Sequence, residues 1–303
     1  MGASLDAWDV LLTAMTKKGY TKSELLDAGL VVQNKNGGLY DKFRNRLMLP
    51  VIDTRGDVVA FGRRVLDKSE PKYMNSSETP VYSKRRVLYG LNLAKKSKRP
   101  NIILCEGNLD IVTLHQAGFD NAVASMGTAL TVEQTRLLSR FTKELVLCYD
   151  NDNAGKIATE RALQILNGSE FSVKVLQLPR RLVDGEYIKQ DADDFIKLQG
   201  PDAFERLLNG SENGVEFRMA QIAGKYDLKD DEARIAYCGE VSELLASLPG
   251  AVEREIYTGR AAEAAGITAE AMKLEVQRSF KRRIAREKRA ELRKDLNPAM
   301  ALQ

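Results

Sequence analysis

Short apolar runs and amphipathic stretches alternate between residues 100 and 180. Four of the apolar runs, NIILC, NAVAS, ELVLCYD and SVKVLQLP, predict strands. Helices are predicted between them, from about Leu109 to Ala117, from Thr131, and from Ala154 to Leu166. Strands that alternate with amphipathic helices indicate a parallel sheet covered on both faces. The functional site of such a sheet lies outside the carboxyl ends of its strands.

The flanking regions have different patterns. Residues 5–30 predict two short helices, and residues 39–66 predict a β-hairpin whose turn is TRGD, 54–57. Residues 68–83 hold Pro, Ser and Asn and indicate an ordered loop or a binding segment. After Pro201 the sequence is helical nearly to its end. We therefore expect an α/β protein with three parts: a mixed α+β basic subdomain (1–99), a parallel-sheet domain (100–200) and a helical subdomain (201–303).

Composition excludes several classes of protein. No apolar run approaches the ~20 residues that span a bilayer, and the N-terminus lacks the layout of a signal peptide. A cytoplasmic location without membrane contact is therefore expected. The three cysteines form no CxxC and there is only one histidine, so no zinc site is expected in this chain. Catalytic triads that depend on histidine are also disfavoured.

Acidic side chains follow the predicted strands at the edge where a site is expected. Glu106 and Asp110 follow the first strand, and Asp150 and Asp152 follow the third. A further cluster, QDADDF (190–195), is expected in a loop that folds over the same edge. Carboxylates this close would repel one another unless a cation lies between them. Oxygen ligands without His or Cys favour Mg²⁺ or Mn²⁺.

A divalent ion held at a strand edge points to phosphoryl transfer. Instead of binding the metal ion, or in addition to it, Glu106 could accept a proton from the attacking hydroxyl. The patterns DxD and ExxxD also occur as ordinary surface turns, and either alone is weak. Their occurrence at two strand ends in this order, each followed closely by a glycine, favours the functional interpretation.

At this point the sequence resembles a known family. EGNLD followed about forty residues later by DNDNAG resembles the Toprim signature of primases, topoisomerases and some nucleases. The segments FRNRLMLPVIDTRGDVVAFGRRVL, PKYMNSSETPVYSKRRVLYGL and AVASMGTALT resemble the RNA polymerase core of bacterial DnaG-type primases. The resemblance runs in order from about Asp6 to Phe195 and more weakly through the helical tail.

The resemblance implies template-directed synthesis of short RNA primers on single-stranded DNA from ribonucleoside triphosphates. It implies catalytic roles for Glu106, Asp150 and Asp152, and a metal and nucleotide site formed by Glu106, Asp110, Asp150, Asp152, Asp191 and Asp193. It also implies a basic ridge that contacts template and nucleotide phosphates, formed by Arg44, Arg46, Arg63, Lys72, Tyr73, Asn75 and Lys84. Cations and exposed tyrosines suit that second role, although Arg44 and Arg46 could also be ordinary strand-surface residues.

The sequence departs from the family pattern in two ways. Asn108 stands where the family usually has an aromatic residue. The chain is also expected to lack the zinc-binding and helicase-binding domains of the family, so that it would be a fragment or a short form. Coupling to a replicative helicase would then depend on a domain that is missing.

Two other functions remain open from the sequence. One is a Toprim nuclease or topoisomerase, of which the topoisomerase is disfavoured because no separate domain with a nucleophilic tyrosine is evident. The other is a noncatalytic module that binds single-stranded DNA through the basic ridge alone; its binding would fall steeply with salt and would not respond to Mg²⁺.

Overall fold

The chain divides into two compact units in the computed structural model, which describes residues 1–65, 73–126, 129–183 and 186–296. One unit comprises Met1–Leu166 and Glu170–Ser211, and the other comprises Asn167–Ser169 and Glu212–Gln303. The three-part division expected from the sequence stays a prediction.

The first part of the larger unit is a mixed α+β region. Its elements are β1 (Gly2–Ser4), α1 (Val10–Lys17), α2 (Lys22–Asp27), β2 (Val31–Gln33), β3 (Leu39–Asp41), β4 (Arg46–Ile52), β5 (Val58–Val65), β6 (Tyr73–Asn75) and α3 (Leu91–Ala94). Strands β1, β4, β5 and β6 form an antiparallel sheet in that order, and β2 pairs with β3.

The predicted hairpin is β4 and β5. Its turn is closed by the backbone N–H of Asp53, which donates to the Asp57 carbonyl at 2.9 Å. Arg46 is paired with Val65, as part of the regular pairing of β4 with β5. The arginines of both strands are therefore held by hydrogen-bonded backbone. The fourth strand of this sheet, β6, lies within the stretch that the sequence indicated as a loop, because the Pro, Ser and Asn residues around it obscure a strand of only three residues.

The second part of the larger unit is a parallel sheet flanked by helices. Its elements are β7 (Asn101–Cys105), α4 (Asn108–Gln116), β8 (Ala122–Ala124), α5 (Val132–Leu138), β9 (Glu144–Leu147), α6 (Asn153–Leu166), β10 (Ser172–Val175), β11 (Arg181–Val183), β12 (Glu186–Ile188), α7 (Ala192–Gln199) and α8 (Pro201–Asn209). The parallel strands of this unit run in the order β10, β9, β7, β8. The chain steps from β7 to one side and then returns to the other side at β9, so the strand order reverses between β7 and β9.

Apolar side chains of the parallel strands and their helices form one buried core. It includes Ile103, Val146 and Phe195, and Phe119 packs edge-to-face on Phe204 with ring centroids 4.8 Å apart. Burial of β7, β8 and β9 on both faces explains why these strands are continuous apolar runs. Such a core holds the strand ends in fixed positions relative to one another.

The acidic segment QDADDF was expected to lie in a loop. It forms the beginning of α7 instead. The Asp191 side chain caps this helix by accepting the backbone N–H of Asp194 at 2.7 Å. Aspartates in the first turn are also favoured by the helix dipole. The hairpin of β11 and β12, which the sequence did not indicate, precedes this segment.

The smaller unit is almost entirely helical. Its elements are β13 (Glu212–Asn213), α9 (Gly214–Ala223), α10 (Asp231–Ala246), α11 (Ala251–Ala265) and α12 (Ala269–Leu296). Tyr237, Val241, Ala261 and Met272 lie at the centre of its core. The expected architecture, a parallel-sheet α/β domain after a mixed α+β region and before a helical region, is thus confirmed. A search of the described helices for one that is long and apolar enough to cross a bilayer finds none.

Candidate functional site

The carboxyl ends of β7 and β9 meet where the strand order reverses. The two strands are paired in parallel, with Leu104 opposite Leu147. Glu106 follows β7 directly, and its Oε1 accepts the backbone N–H of Asp150 at 3.3 Å. Burial, followed by the charge of Asp150, raises the pKa of Glu106. The first and third predicted strands therefore bring their acidic residues together.

Asp110 joins the first turn of α4 to the start of α7. Its Oδ2 accepts the Gly107 N–H at 3.1 Å, and its Oδ1 accepts the Asp193 N–H at 3.2 Å. The side chain is only 7% exposed. Burial, with a further contribution from Asp191, raises the pKa of Asp110 to about 7. This carboxyl group is therefore poised between its charged and neutral forms near neutral pH.

Asp152 directly precedes α6 and is held in its ionised form. Its Oδ1 accepts the Gly155 N–H at 2.8 Å, and this bond and a second from Lys189 lower its pKa. The Lys189 ammonium lies between two carboxylates, 3.2 Å from Asp150 and 3.1 Å from Asp152. Gly155 is required here because a Cβ atom would lie 2.0 Å from the Asp150 carbonyl oxygen.

The start of α7 supplies the remaining carboxylates. Asp191, Asp193 and Asp194 each offer an oxygen within 4.8 Å of the others. Asp193 is nearly buried and accepts bonds from the Thr113 hydroxyl and, at 2.7 Å, from the Lys197 ammonium. Burial raises the pKa of Asp191. Asp194 was not singled out from the sequence, although it lies in the same acidic run.

A cavity of about 260 Å³ lies between these segments and β5 and β6. It is lined by acidic residues from β7, α4, β9 and α7, and by three members of the predicted basic ridge. The acidic residues are Glu106, Asp110, Asp150, Asp191 and Asp193, and the ridge members are Arg63, Tyr73 and Asn75. Five of the six predicted metal ligands thus share one cavity with three predicted nucleotide contacts, and Asp152 lies beside them through its shared bond with Lys189.

Three members of the ridge lie outside that cavity. Arg44 and Arg46 lie close enough to Arg63 to lower its pKa, after the larger effect of its burial. Lys84 lies near Lys42 and, with Arg63, contributes to the lowered pKa of Lys42, for which burial is again the first cause. Lys42 was missed by the sequence analysis, although it belongs to the same DKFRNR stretch as Arg44. Lys72 lies outside the described residues.

Asn108 packs between the acidic site and the antiparallel sheet. Its Nδ2 donates to the Asn75 Oδ1 at 3.4 Å, and Asn75 in turn donates to the Met126 carbonyl at 2.8 Å. A Cβ atom at Gly62 would lie 2.2 Å from the same Nδ2. Asn108 therefore makes a polar contact to Asn75 beside the acidic site and takes the place of no carboxylate.

The donor set fits a divalent cation. Every candidate ligand is a carboxylate oxygen, and burial raises the pKa of Glu106, Asp110 and Asp191. Raised carboxyl pKa values are expected where clustered carboxylates carry more negative charge than the protein's own nearby cations offset. A cation among these oxygens would remove the conflict. The residues therefore fit a divalent metal ion, with Lys189 supplying the protein's own positive charge at Asp150 and Asp152.

An acidic site at the switch point of a short parallel sheet is the arrangement that the Toprim resemblance of the sequence implies. The family model described as Toprim-like matches residues 103–196. The model described as the N-terminal domain of the DNA primase catalytic core matches residues 1–95. A third, described as the DnaB-helicase binding domain of primase, matches residues 215–270.

Similar proteins and solved structures indicate the same family. A DNA primase of Clostridium acetobutylicum is 42% identical over 273 residues, which are 90% of this chain and 44% of that protein. A crystal structure of a DNA primase domain from Pseudomonas aeruginosa superposes with a TM-score of 0.74 at 34% identity, covering 91% of this chain and 86% of that one. The E. coli primase catalytic core gives a TM-score of 0.74 at 33% identity and covers 88% and 84% of the two chains.

The chain belongs to the DnaG-type primase family. It spans about half the length of the curated relatives that it matches. The expectation that it lacks a helicase-binding domain is wrong, because residues 215–270 match the model of that domain. The helices of this region carry apolar spacing but no catalytic motif, so the sequence alone did not distinguish a binding domain from the tail of the core.

Proposed function

We propose that this chain carries out the polymerase reaction of a DNA primase, the metal-dependent synthesis of RNA primers on a single-stranded DNA template. The observation that carries the proposal is the cavity in which five carboxylates face Arg63, Tyr73 and Asn75. Cations for phosphates and oxygen ligands for a metal ion occur there within one space. A DnaG catalytic domain bound to single-stranded DNA is among the similar structures, with a TM-score of 0.74 at 32% identity over 89% of this chain and 84% of that one.

The roles of the acidic residues follow from their surroundings. Asp150, Asp152, Asp191 and Asp193 would hold Mg²⁺ or Mn²⁺, which when bound would neutralise charge that develops on the reacting phosphate. Glu106 and Asp110 belong to the same predicted set of ligands. Burial raises the pKa of Glu106, which suits its carboxylate to accept a proton from an attacking hydroxyl.

The basic and aromatic residues would position substrate. Arg63 lies at the cavity wall and would pair with nucleotide phosphates, while Tyr73, which is 49% exposed, offers a stacking surface. Arg44, Arg46, Lys72 and Lys84 would contact the phosphates of the template. Residues 1–99 would thus serve template binding, 100–200 catalysis, and the helical region 201–303 attachment to a helicase. A cytoplasmic location belongs to the same proposal.

The test is extension of an RNA primer annealed to single-stranded DNA, with labelled ribonucleotides and either Mg²⁺ or Mn²⁺. The double variant Asp150→Asn with Asp152→Asn should lose incorporation while it keeps its fold and its binding of DNA. A matched control, Asp202→Asn with Asp231→Asn, changes two exposed acids on helices α8 and α10 and should extend normally.

Two outcomes would overturn the proposal. Normal incorporation by the Asp150 and Asp152 variant would remove the acidic site from the reaction. Binding of DNA that is indifferent to Mg²⁺, without extension by the wild type, would favour the noncatalytic binding module instead.

A further inference from the structure

A second cavity lies in the larger unit, between the segment that follows β10 and helices α7 and α8. Its volume is about 490 Å³, within the range of roughly 300–1,000 Å³ that holds small molecules. Three arginines line it, Arg180, Arg181 and Arg206, and none of the described lining residues is acidic. We call it the arginine cavity. A cavity lined by cations attracts and concentrates anions.

The three arginines have no partner in the described part of the chain. Each is exposed, and none takes part in an ion pair or a side-chain hydrogen bond among the described residues. Glu205, which precedes Arg206 in the chain, is instead paired with Arg99 at 3.0 Å. Each guanidinium therefore offers a planar fork of N–H donors to a ligand, a geometry that matches phosphate oxygens.

A buried amide adds a donor that the fold does not use. Gln190 also lines the arginine cavity, and it is only 4% exposed. Its Nε2 is buried and makes no hydrogen bond within the described residues. A buried N–H group without an acceptor is costly, so such groups are nearly always paired. An oxygen atom of a ligand in the cavity would supply the missing acceptor.

The arginine cavity is distinct from the acidic one, because no described residue lines both. The chain passes from one to the other within three residues. Lys189 bridges Asp150 and Asp152 in the acidic site, and Asp191 lines the acidic cavity. Gln190, between them in the chain, lines the arginine cavity. A ligand bound there would thus contact none of the predicted metal ligands.

The convergence of positive charge favours a polyphosphate over a nucleic-acid backbone. A backbone carries one charge at each phosphate, so proteins that follow it spread their cations along a groove. Cations around a single cavity instead match several anionic oxygens close together. We propose that the arginine cavity binds a triphosphate group. Its oxygens pair with the three arginines, Arg180, Arg181 and Arg206, and one of them accepts the amide N–H of Gln190.

Two sources of a triphosphate occur in the primase reaction, so the identity of the ligand rests on the proposed function. One source is a free ribonucleoside triphosphate. The other is the 5′ end of the primer, because the first nucleotide reacts only through its 3′-hydroxyl and keeps its triphosphate. The apolar side chains of Leu182 and Leu207 also line the cavity and would contact the nucleoside in either case.

The first test is calorimetry with inorganic tripolyphosphate, in EDTA so that no metal ion draws the probe to the acidic site. The double variant Arg181→Gln with Arg206→Gln should weaken this binding at least about 10-fold, because a hydrogen bond to a charged group is worth at least that factor. Arg63→Gln, which changes the basic ridge, should retain it. The matched control is Arg136→Gln with Arg140→Gln, which removes the same charge from two exposed arginines of the same unit that do not line the cavity.

Gln190→Met tests the buried amide, because methionine fills a similar space without an N–H group. The variant should bind tripolyphosphate about 5-fold more weakly. Without the probe it should melt no lower than the wild type, because the nitrogen that it loses has no partner among the described residues. A lower melting temperature together with unchanged affinity would show that Gln190 serves packing alone, and would overturn its role in the site.

RNA oligonucleotides and ATP separate the two sources. If the primer end is the ligand, an RNA with a 5′-triphosphate should bind more tightly than the same RNA with a 5′-hydroxyl. The Arg181 and Arg206 variant should then remove that advantage. If a free nucleotide is the ligand, ATP in EDTA should compete with tripolyphosphate, and the two RNAs should bind alike.

Failure of the arginine cavity is distinguishable from failure of the proposed function. The cavity is refuted if tripolyphosphate does not bind the wild type, if the Arg181 and Arg206 variant binds it equally well, or if the matched control loses as much affinity. Extension of an annealed primer with a 5′-hydroxyl end would still establish the polymerase. Normal extension by the Asp150 and Asp152 variant would refute the proposed role of the acidic site, while the binding of tripolyphosphate would stand.

Discussion

The carboxylate of Asp110 accepts the backbone N–H of Asp193 at 3.2 Å, although 83 residues separate them in the sequence. The same carboxylate accepts the Gly107 N–H, so one side chain satisfies two backbone donors at the beginnings of two helices. The acidic site is therefore built into the joint between α4 and α7. Removing the Asp110 carboxylate therefore affects the stability of the fold as well as the charge of the site.

Asp110→Ala should lower the free energy of unfolding by about 1–3 kcal/mol, because two backbone N–H groups lose their acceptor in a buried place. Asp110→Asn keeps one carbonyl oxygen as an acceptor and removes a charge that its neighbours oppose. Its NH2 group would face the second backbone N–H, however, so we expect a loss of about 1 kcal/mol, smaller than that of Asp110→Ala. Urea denaturation of both variants without metal measures the difference. Equal losses would show that the hydrogen bonds to Gly107 and Asp193 contribute little.

Gly155→Ala should disturb the site through the backbone, because the added Cβ atom would meet the Asp150 carbonyl oxygen at 2.0 Å. That oxygen is fixed at the strand end and does not yield as a flexible side chain would. We expect a loss of about 1–3 kcal/mol, typical of overpacking, and weaker metal binding measured by calorimetry.

Gly259→Ala is the matched control for that variant. Gly259 lies inside α11, and a Cβ atom added there would meet nothing within 4 Å among the described residues. Alanine in a helix interior is favoured over glycine by about 0.5–1 kcal/mol, so this variant should be slightly more stable. A Gly155→Ala protein as stable as the Gly259→Ala protein would refute the steric argument.

Lys189→Met should increase the thermal stabilisation that divalent metal gives the protein. Without the ammonium, Asp150 and Asp152 lose the cation that bridges them, and the metal-free protein should melt about 2–4 °C lower. Added Mg²⁺ should then raise the melting temperature more than it does in the wild type, because no lysine competes for the carboxylates. Lys143→Met, which breaks a surface pair with Glu170, should leave the effect of Mg²⁺ unaltered.

Tyr82→Phe should stabilise the protein or leave it unchanged at neutral pH. The ring is 2% exposed, and its hydroxyl oxygen has no hydrogen-bond partner within the described parts of the chain. Burial raises the pKa of Tyr82 to about 12. The unfolded chain therefore loses the tyrosine proton near pH 10, while the folded chain keeps it until about pH 12.

The difference in tyrosine pKa between the folded and unfolded chain determines how stability changes at alkaline pH. Between about pH 10 and 12 the folded state binds more protons than the unfolded state, so stability falls as the pH rises. Tyr82→Phe should lose less stability than the wild type over this interval in denaturation curves measured at each pH. Identical pH dependence in the two proteins would contradict the raised pKa.

The acidic residues at the strand ends were predictable because sequence order and sheet geometry agree. Glu106 and Asp150 each follow an apolar run directly, and parallel strands place such residues at one edge. The pairing of β7 with β9 brings these two strand ends together. The start of the helix at Thr131 is likewise a local feature, and the Thr131 hydroxyl caps α5 by accepting the Gln134 N–H at 3.1 Å.

The features that were missed depend on contacts between distant segments. Lys189 reaches Asp150 and Asp152 only because the hairpin of β11 and β12 returns the chain to the sheet edge. The acidic run before Phe195 looks like a solvated loop until Asp191 is seen to cap α7. The bonds by which Asp41 of β3 accepts the N–H groups of Leu11 and Leu12 in α1 are likewise revealed by no spacing in the sequence.

β7 is an interior strand with a partner on each side, and this position also bears on the synthesis of the chain. The ribosome completes Asn101–Cys105 before either partner, Ala122–Ala124 or Glu144–Leu147, has been made. Until then both edges of an apolar strand lack their hydrogen-bonding neighbours, which is the condition in which nascent chains aggregate. Slow translation between residues 105 and 147 would prolong that exposure. A chaperone that shields this segment would reduce the aggregation that follows from it.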